Sequence, residues 1–184
     1  MKILLVGNGK TAQGCSIDDF DFVCRFNNFQ MQGFDVGTKF NAHCRRSCDD
    51  IQLFNPERLD AVYNFITYCP LSGGMKAVAS RVHSHYKAKY IEVGLEECKS
   101  IAEDVGLIPM TERASVGILA ICHFIKFHSP VYICGFDSVV TDKEVHLEHY
   151  YPRKPLDSQH HNWYKEAEYI KGLVKEGVVR CIIP

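Results

Sequence analysis

The sequence lacks a broad excess of charge of either sign. Its 184 residues carry 21 lysines and arginines against 22 aspartates and glutamates, so the formal net charge is −1. Proteins that bind nucleic acid through their overall field are strongly basic, and we therefore expect no nucleic-acid partner. Hydrophobic residues make up 46% of the chain, which is enough for the core of one globular domain spanning residues 1–184.

Long apolar runs are also missing. No segment approaches the roughly 20 apolar residues that a membrane-spanning helix needs. The first apolar run is broken at once by Gly7-Asn8-Gly9 and is too short for a signal peptide. These features predict a cytoplasmic protein without a membrane span, peripheral to a membrane at most.

The chain has nine cysteines but no Cys-x-x-Cys pair. The odd count, and the strand-like runs around Cys24, Cys134 and Cys181, predict buried thiols in a reducing compartment. His43, Cys44 and Cys48 have a spacing that metal sites use. A zinc site usually needs four ligands and a second cluster, which the chain does not offer, and we expect no metal.

Strand-like and helix-like segments alternate along nearly the whole chain. The predicted strands are residues 2–6, 20–24, 39–44, 59–66, 90–93, 131–134 and 178–183, and the predicted helices are 10–13, 75–86, 95–103, 113–127 and 163–176. This alternation predicts an α/β fold: a single Rossmann-like domain with a mostly parallel sheet, helices on both faces, and ligands beyond the carboxyl ends of the strands. The polar, aromatic segment 137–160 is predicted to be a lid or active-site loop.

The first strand ends in Gly7-Asn8-Gly9, which suits a loop that passes close to a phosphate. Small residues let the backbone approach, and the helix that follows is expected to point its N–H groups at the anion. The string GNGKT is nevertheless no P-loop, because Leu4 occupies the place of the first glycine, inside the strand. The loop is too short to wrap a triphosphate.

A dinucleotide-binding pattern comes close at this loop but fails further along. Ala12 stands where a third glycine or an alanine belongs. The acidic residue expected at the end of the second strand is missing, and Arg25, Phe26 and Asn27 stand there instead. This absence disfavours an oxidoreductase.

Asparagines follow two of the predicted strands, at Asn8 and Asn27. Their amides suit hydrogen bonds to a ribose, a phosphate or sugar hydroxyls, and the alternative is that both simply favour turns. The string Asp19-Phe20-Asp21 has the form of a metal-binding Asp-x-Asp. It begins a strand, at the end of the sheet away from ligands, and we interpret it as a turn and strand cap.

Four segments together resemble the sialyltransferase family, of both the animal type and the small bacterial type. VGNG, FDFVCRFN and GFDVGTK are similar to the family's large motif, and RASVGILAICHFIKFHSPVYICGFD is similar to its small motif. HYY, at His149 to Tyr151, resembles the short third motif. HNWYKE, at His161 to Glu166, fits the His-x4-Glu motif. The four occur in the family's order over nearly the whole chain.

This resemblance implies an inverting glycosyltransferase that moves sialic acid, or a similar acidic sugar, from a CMP-linked donor to a glycan hydroxyl. It implies no metal and no cofactor besides the donor. His161 matches the catalytic base, with the adjacent His160 as the alternative, and Tyr150 and Tyr151 resemble tyrosines that donate hydrogen bonds to the departing phosphate. The residues matched to donor binding are Asn8, Gly9, Asn27, Ser115, Gly117, Gly135, Phe136 and Asp137.

The residues are also compatible with two other functions. One is a transferase for another CMP-linked ulosonic acid such as Kdo, since nothing in the donor loop distinguishes the two sugars. The other is a catalytically silent CMP-binding protein of the same fold. The short chain also leaves open a homo-oligomer that completes its site.

Overall fold

The computed structural model describes residues 1–46, 59–66, 88–108, 111–140 and 161–184. The strands are β1 (Ile3–Val6), β2 (Phe22–Phe26), β3 (Ala42–Arg46), β4 (Ala61–Phe65), β5 (Lys89–Val93), β6 (Val131–Cys134) and β7 (Val179–Cys181). The helices are α1 (Leu95–Asp104), α2 (Val116–Ile125), α3 (Asp137–Val140) and α4 (Trp163–Lys175), with 3-10 turns at Lys10–Ala12 and Ile17–Asp19. The predicted helix at 75–86 lies outside the described residues.

The seven described strands form one parallel sheet in the order β5-β4-β3-β2-β1-β6-β7. The chain winds outward from β1 to β5 and then crosses to the other side of β1 for β6 and β7. The winding therefore reverses between β1 and β6. In open parallel sheets, the crevice at the carboxyl ends of two such strands is the usual ligand position. The predicted α/β fold is confirmed.

The largest core lies between the sheet and the helices α1, α2 and α4. It joins buried residues of the strands to one face of each of these helices, among them Leu5, Phe65, Ile101, Leu119, Phe124, Ile170 and Leu173. Smaller clusters cover the opposite face, where the 3-10 turns contribute Ala12 and Ile17. Gly117, in the first turn of α2, lies against Phe136 at the carboxyl end of β6. The amino end of α2 therefore faces the crevice.

Two strands extend further than the sequence pattern predicts. β2 runs to Phe26 and β3 to Arg46, whereas the sequence pattern predicts that these strands end at residues 24 and 44. The predicted ends are wrong because an arginine can be buried when part of its guanidinium is hydrogen-bonded to backbone carbonyls. Arg25, for example, is fully buried and donates to the backbone carbonyls of Lys39 and Val36 at 3.1 and 2.6 Å.

The segment predicted as a lid opens with α3, a four-residue helix, rather than with irregular chain. Residues 141–160 lie outside the described residues. The predicted phosphate-binding Tyr150 and Tyr151, and His160, fall within that range. None of the helices in the described ranges has the length and apolar character of a membrane span.

The described cysteines are free thiols, as predicted, and all but Cys181 are buried. The Sγ atoms of Cys24 and Cys44 lie 2.9 Å apart between β2 and β3. His43 and Cys44 lie on opposite faces of β3, because successive side chains of a strand alternate. Cys44 belongs to the large core, whereas the ring of His43 packs on Phe29. The two side chains therefore do not converge on one metal position.

The Asp-x-Asp string lies at the amino end of β2, as predicted. The carboxylate of Asp21 accepts a hydrogen bond from the backbone N–H of Lys2 at 2.6 Å, which joins the starts of β1 and β2. Asp19 and Asp21 thus lie at the amino ends of the strands, away from the crevice at the carboxyl ends.

Candidate functional site

Glycines allow the loops after β1 and β6 to touch each other. The N–H of Gly7 donates to the carbonyl of Cys134 at 2.8 Å, and the N–H of Gly9 donates to the carbonyl of Gly135 at 2.9 Å. A Cβ atom on Gly7 would lie 2.3 Å from the Gly135 oxygen. Gly135 also has a φ of +71°, which side chains rarely tolerate. The loops after β1 and β6 could therefore not pack against each other without Gly7 and Gly135.

Asp137 links the end of β6 to the 3-10 turn after β1. Its carboxylate accepts hydrogen bonds from the N–H of Lys10 at 2.8 Å, the N–H of Thr11 at 3.0 Å and the Thr11 hydroxyl at 2.5 Å. The sequence predicted that the N–H groups after β1 face a donor phosphate. That prediction is wrong, because the protein's own carboxylate binds them. A Cβ atom on Gly9 would lie 2.3 Å from Oδ1 of Asp137.

Asn8 binds the end of β2, next to Asn27. The side-chain amide of Asn8 donates to the carbonyl of Phe26 at 3.2 Å, one residue before Asn27. Asn27 adopts a left-handed conformation with φ of 49°, a region in which asparagine is enriched. Its N–H donates to the carbonyl of Cys44, and its own carbonyl accepts from His43 Nε2.

The side-chain oxygen of Asn27 is buried and accepts no hydrogen bond in the described part of the chain. A buried amide oxygen without a donor is costly, and a ligand is one source of that donor. A ribose hydroxyl or the amino group of a cytosine offers suitable chemistry.

Phe136 brings β2, β6 and α2 together above the crevice. Its ring packs edge-on against Phe26, with the ring centroids 5.8 Å apart. A Cβ on Gly117 would lie 2.8 Å from an atom of the Phe136 ring. Glycine at 117 therefore lets the first turn of α2 approach the end of β6.

Ser115 caps α2 and also binds α4. Its hydroxyl accepts the N–H of Ile118 at 3.2 Å and donates to Glu166 Oε2 at 2.5 Å. The Ser115 N–H donates to Glu166 Oε1 at 2.8 Å. Burial raises the pKa of Glu166 to about 7, although both hydrogen bonds from Ser115 favour the charged form. The glutamate of the His-x4-Glu motif thus holds the serine of the small motif.

His161 lies just before α4, with its ring in a defined orientation. Its Nδ1 is 2.8 Å from the carbonyl oxygen of Arg113. A carbonyl only accepts hydrogen bonds, so Nδ1 carries the proton and Nε2 is the basic nitrogen of the neutral ring. The imidazole also packs against Trp163, with the ring centroids 4.8 Å apart. Arg113 is two residues before Ser115, which places His161 beside the amino end of α2.

A continuous series of contacts joins the residues that the sequence predicted to form the site. It runs from Asn8 through Phe26 and Phe136 to α2, and from α2 to α4. The predicted residues that the structure places along this series are Asn8, Gly9, Asn27, Ser115, Gly117, Gly135, Phe136, Asp137 and His161.

Sequence reasoning missed the contact between Glu112 and Asn162, which lies next to the contact between Arg113 and His161. Glu112 binds Asn162, which is 50 positions away in the chain. Asn162 has the signature of a helix cap, an asparagine directly before a helical pattern, and this signal was available. Nothing local in the sequence identifies Glu112, because its role depends on a contact between distant segments.

No protein-family model and no curated protein matches the sequence. Solved structures do match its fold. One is a mammalian sialyltransferase, with a TM-score of 0.71, 18% identity, and coverage of 99% of this chain and 68% of the other. Another is a mammalian sialyltransferase in complex with Gal-beta-1-3GalNAc-ortho-nitrophenol, with a TM-score of 0.72, 17% identity, and coverage of 99% and 69%.

A third match is the sialyltransferase CST-II in complex with a trisaccharide acceptor and CMP. It has a TM-score of 0.53 and 13% identity, and the match covers 100% of this chain and 82% of the other. Identities this low establish a common fold and leave activity to be argued from the site. The fold that the motif resemblance implied is thus confirmed: the chain has the fold of the sialyltransferases.

Proposed function

We propose that this protein is an inverting glycosyltransferase that moves sialic acid, or a similar acidic sugar, from a CMP-linked donor to a glycan hydroxyl. The observation that carries the proposal is the position of His161 at the crevice, with Nδ1 hydrogen-bonded to the Arg113 carbonyl. The sialyltransferase fold supports it, as does the match to a structure that contains CMP and a trisaccharide acceptor.

The donor nucleotide is assigned to the crevice between β1 and β6. The buried oxygen of Asn27 suits a hydroxyl or amino donor of the nucleoside. Asn8 lies beside it, and we assign it to the ribose or the phosphate. Asp137 already occupies the N–H groups of Lys10 and Thr11, so this turn has no role in binding the phosphate. The motif resemblance assigns the phosphate to the hydroxyls of Tyr150 and Tyr151.

In the reaction, Nε2 of His161 accepts the proton of the acceptor hydroxyl while the hydroxyl oxygen attacks the anomeric carbon. The bond between that carbon and the phosphate oxygen breaks, and CMP leaves with the bonding electrons. One displacement inverts the anomeric centre. The imidazolium that forms keeps its Nδ1–H on the Arg113 carbonyl, which stabilises the positive charge. Neutral donors such as tyrosine hydroxyls can stabilise the leaving phosphate, so no metal is needed.

The test is turnover of CMP-sialic acid, with and without a glycan acceptor, by the wild type and by His161→Ala. We expect the substitution to lower kcat by at least about a hundredfold, the range of general base catalysis. The affinity for CMP should be unchanged, because the proposal assigns His161 to the acceptor hydroxyl and the nucleotide to the crevice between β1 and β6. His128→Ala, at the far end of α2 from the crevice, is the matched control and should keep wild-type turnover.

Other results would point to the alternatives. Unchanged turnover in His161→Ala would move the base to His160 or to another residue. CMP binding without turnover of any CMP-sugar would indicate a silent binding protein. Turnover of CMP-Kdo in preference to CMP-sialic acid would identify the other ulosonic acid as the substrate.

A further inference from the structure

The segment before α2 runs along the first turn of α4. Glu112, in this segment, contacts Asn162 and Lys165 at the start of α4. The Glu112 carboxylate accepts hydrogen bonds from the Asn162 amide at 2.7 Å, the Ile108 N–H at 2.8 Å and the Lys165 ammonium at 2.9 Å. Donation from Asn162, then from Ile108 and Lys165, lowers the pKa of Glu112 to about 2. The group is therefore ionised at neutral pH, and each of its three partners is a donor.

The orientation of the Asn162 side chain is fixed from both sides. Its oxygen caps α4 by accepting the N–H of Lys165 at 3.1 Å. Its NH2 group must therefore face Glu112. Turning the amide over would remove the cap and place an oxygen against a carboxylate, which costs both interactions.

The same junction holds the imidazole. Arg113 follows Glu112 in the chain, and His161 precedes Asn162. The carbonyl of Arg113 accepts from His161 Nδ1 at 2.8 Å. The neighbours Glu112 and Arg113, before α2, therefore bind the neighbours Asn162 and His161, before α4. Displacement of the Asn162 cap from Glu112 would displace the adjacent His161 from Arg113.

We propose that Glu112 is a positioning residue for His161: its carboxylate fixes the Asn162 cap and so keeps the proton of the imidazole on Nδ1. The kinetic part of this inference rests on the proposed function. A carboxylate is required at this position, because all three partners donate. An amide in the same place would put its own NH2 group against a donor in either orientation.

The first experiment compares Glu112→Gln with the double variant Glu112→Gln/Asn162→Asp. In the single variant we expect kcat to fall about tenfold, with KM for the donor unchanged, because the base is misplaced and the nucleotide site is intact. In the double variant the glutamine NH2 group donates to the new carboxylate, and the glutamine oxygen accepts from Ile108 and Lys165. The aspartate at position 162 still caps α4. Rescue of kcat is therefore expected.

Glu168→Gln is the matched control. Glu168 lies on α4 and pairs with Lys171 at 3.1 Å on the surface. It undergoes the same chemical change at a distance from the Glu112 junction, and we expect wild-type kcat. Equal losses in both single variants, or no recovery in the double variant, would overturn the assignment.

A second measurement does not depend on turnover. Nitrogen NMR of the histidine rings reports which ring nitrogen carries the proton. We expect His161 to be protonated on Nδ1 in the wild type and in the double variant, and to be a mixture of tautomers in Glu112→Gln. An unchanged tautomer in Glu112→Gln would overturn the proposal. If no CMP-sugar is turned over, the proposed function fails, while this measurement still decides the role of Glu112.

Discussion

Glu166 is a buried carboxyl group at the site, and its ionisation is unfavourable there. Only 3% of it is exposed, and burial raises its pKa from 4.5 to about 7. The pKa of Glu166 is higher in the folded state than in the unfolded state. Its contribution to the free energy of unfolding is therefore fully present below about pH 4.5. That contribution is lost as the pH rises through about 7, and the loss by linkage is about 3 kcal/mol.

We predict that Glu166→Gln removes most of this pH dependence. Glutamine keeps the shape, accepts the Ser115 N–H and can donate to the Ser115 hydroxyl, but it carries no charge that burial penalises. Free energies of unfolding in urea, measured for both proteins between about pH 5 and pH 9, would test this. Parallel curves for the two proteins would show that Glu166 ionises without cost and that our assignment of the pKa shift is wrong.

Asp137 illustrates how far single residues could be predicted. Its place at the end of a strand, and its closeness to the loop after β1, follow from the pattern of elements in the sequence. Its partners do not. A carboxylate and a bound phosphate suit the same backbone N–H groups, and only the folded positions of Lys10 and Thr11 show that the carboxylate is there.

At the scale of elements, the loops after β1 and β6 lie so close that neither Gly7 nor Gly135 has room for a Cβ atom. We predict that Gly135→Ala lowers the free energy of unfolding by about 3 kcal/mol, because the new Cβ would lie 2.5 Å from the Gly7 oxygen at a positive φ. Gly172→Ala in α4 is the control, since nothing lies within 4 Å of its Cβ position. It should stabilise the fold by about 1 kcal/mol, through helix propensity alone.

Urea unfolding of the two variants measures both effects under one condition. A loss below about 1 kcal/mol in Gly135→Ala would mean that the loops can separate without cost. The crevice would then be less rigid than its hydrogen bonds indicate.

Element boundaries were predictable where the pattern was simple. β6 begins and ends where the sequence places it, because an apolar run there is bounded by Pro130 and Gly135. β3 was placed too early because its last residues are arginines. A buried arginine depends on acceptors from elsewhere in the fold, and no local pattern records them.

At the scale of the whole molecule, the proposed function makes a prediction about which nucleotides bind. We predict that CMP raises the melting temperature and that NAD does not. At about 100 times its Kd, a ligand of the native state adds about 2.7 kcal/mol. The protein lacks both groups that usually bind NAD. No acidic residue follows β2 to bind the ribose, and Asp137 occupies the N–H groups of Lys10 and Thr11 that would bind the pyrophosphate.

Thermal unfolding with each nucleotide at matched concentrations would test this. UMP serves as a second comparison, because it differs from CMP at the base that we assign to the crevice. Stabilisation by NAD without stabilisation by CMP would exclude the nucleotide assignment, whatever the likeness of the folds.

The sequence by itself determined the alternation of strands and helices, the glycines of the two loops and the four motifs that point to the sialyltransferase fold. Those are local features: periodicity, turn residues and spacing act over a few positions along the chain. Only the tertiary structure decided that Asp137 binds the turn after β1, that Glu166 binds Ser115, that Glu112 binds Asn162, and that the Arg113 carbonyl binds His161. Each of these is a hydrogen bond between segments far apart in sequence, and such partners are chosen by the packing of the fold.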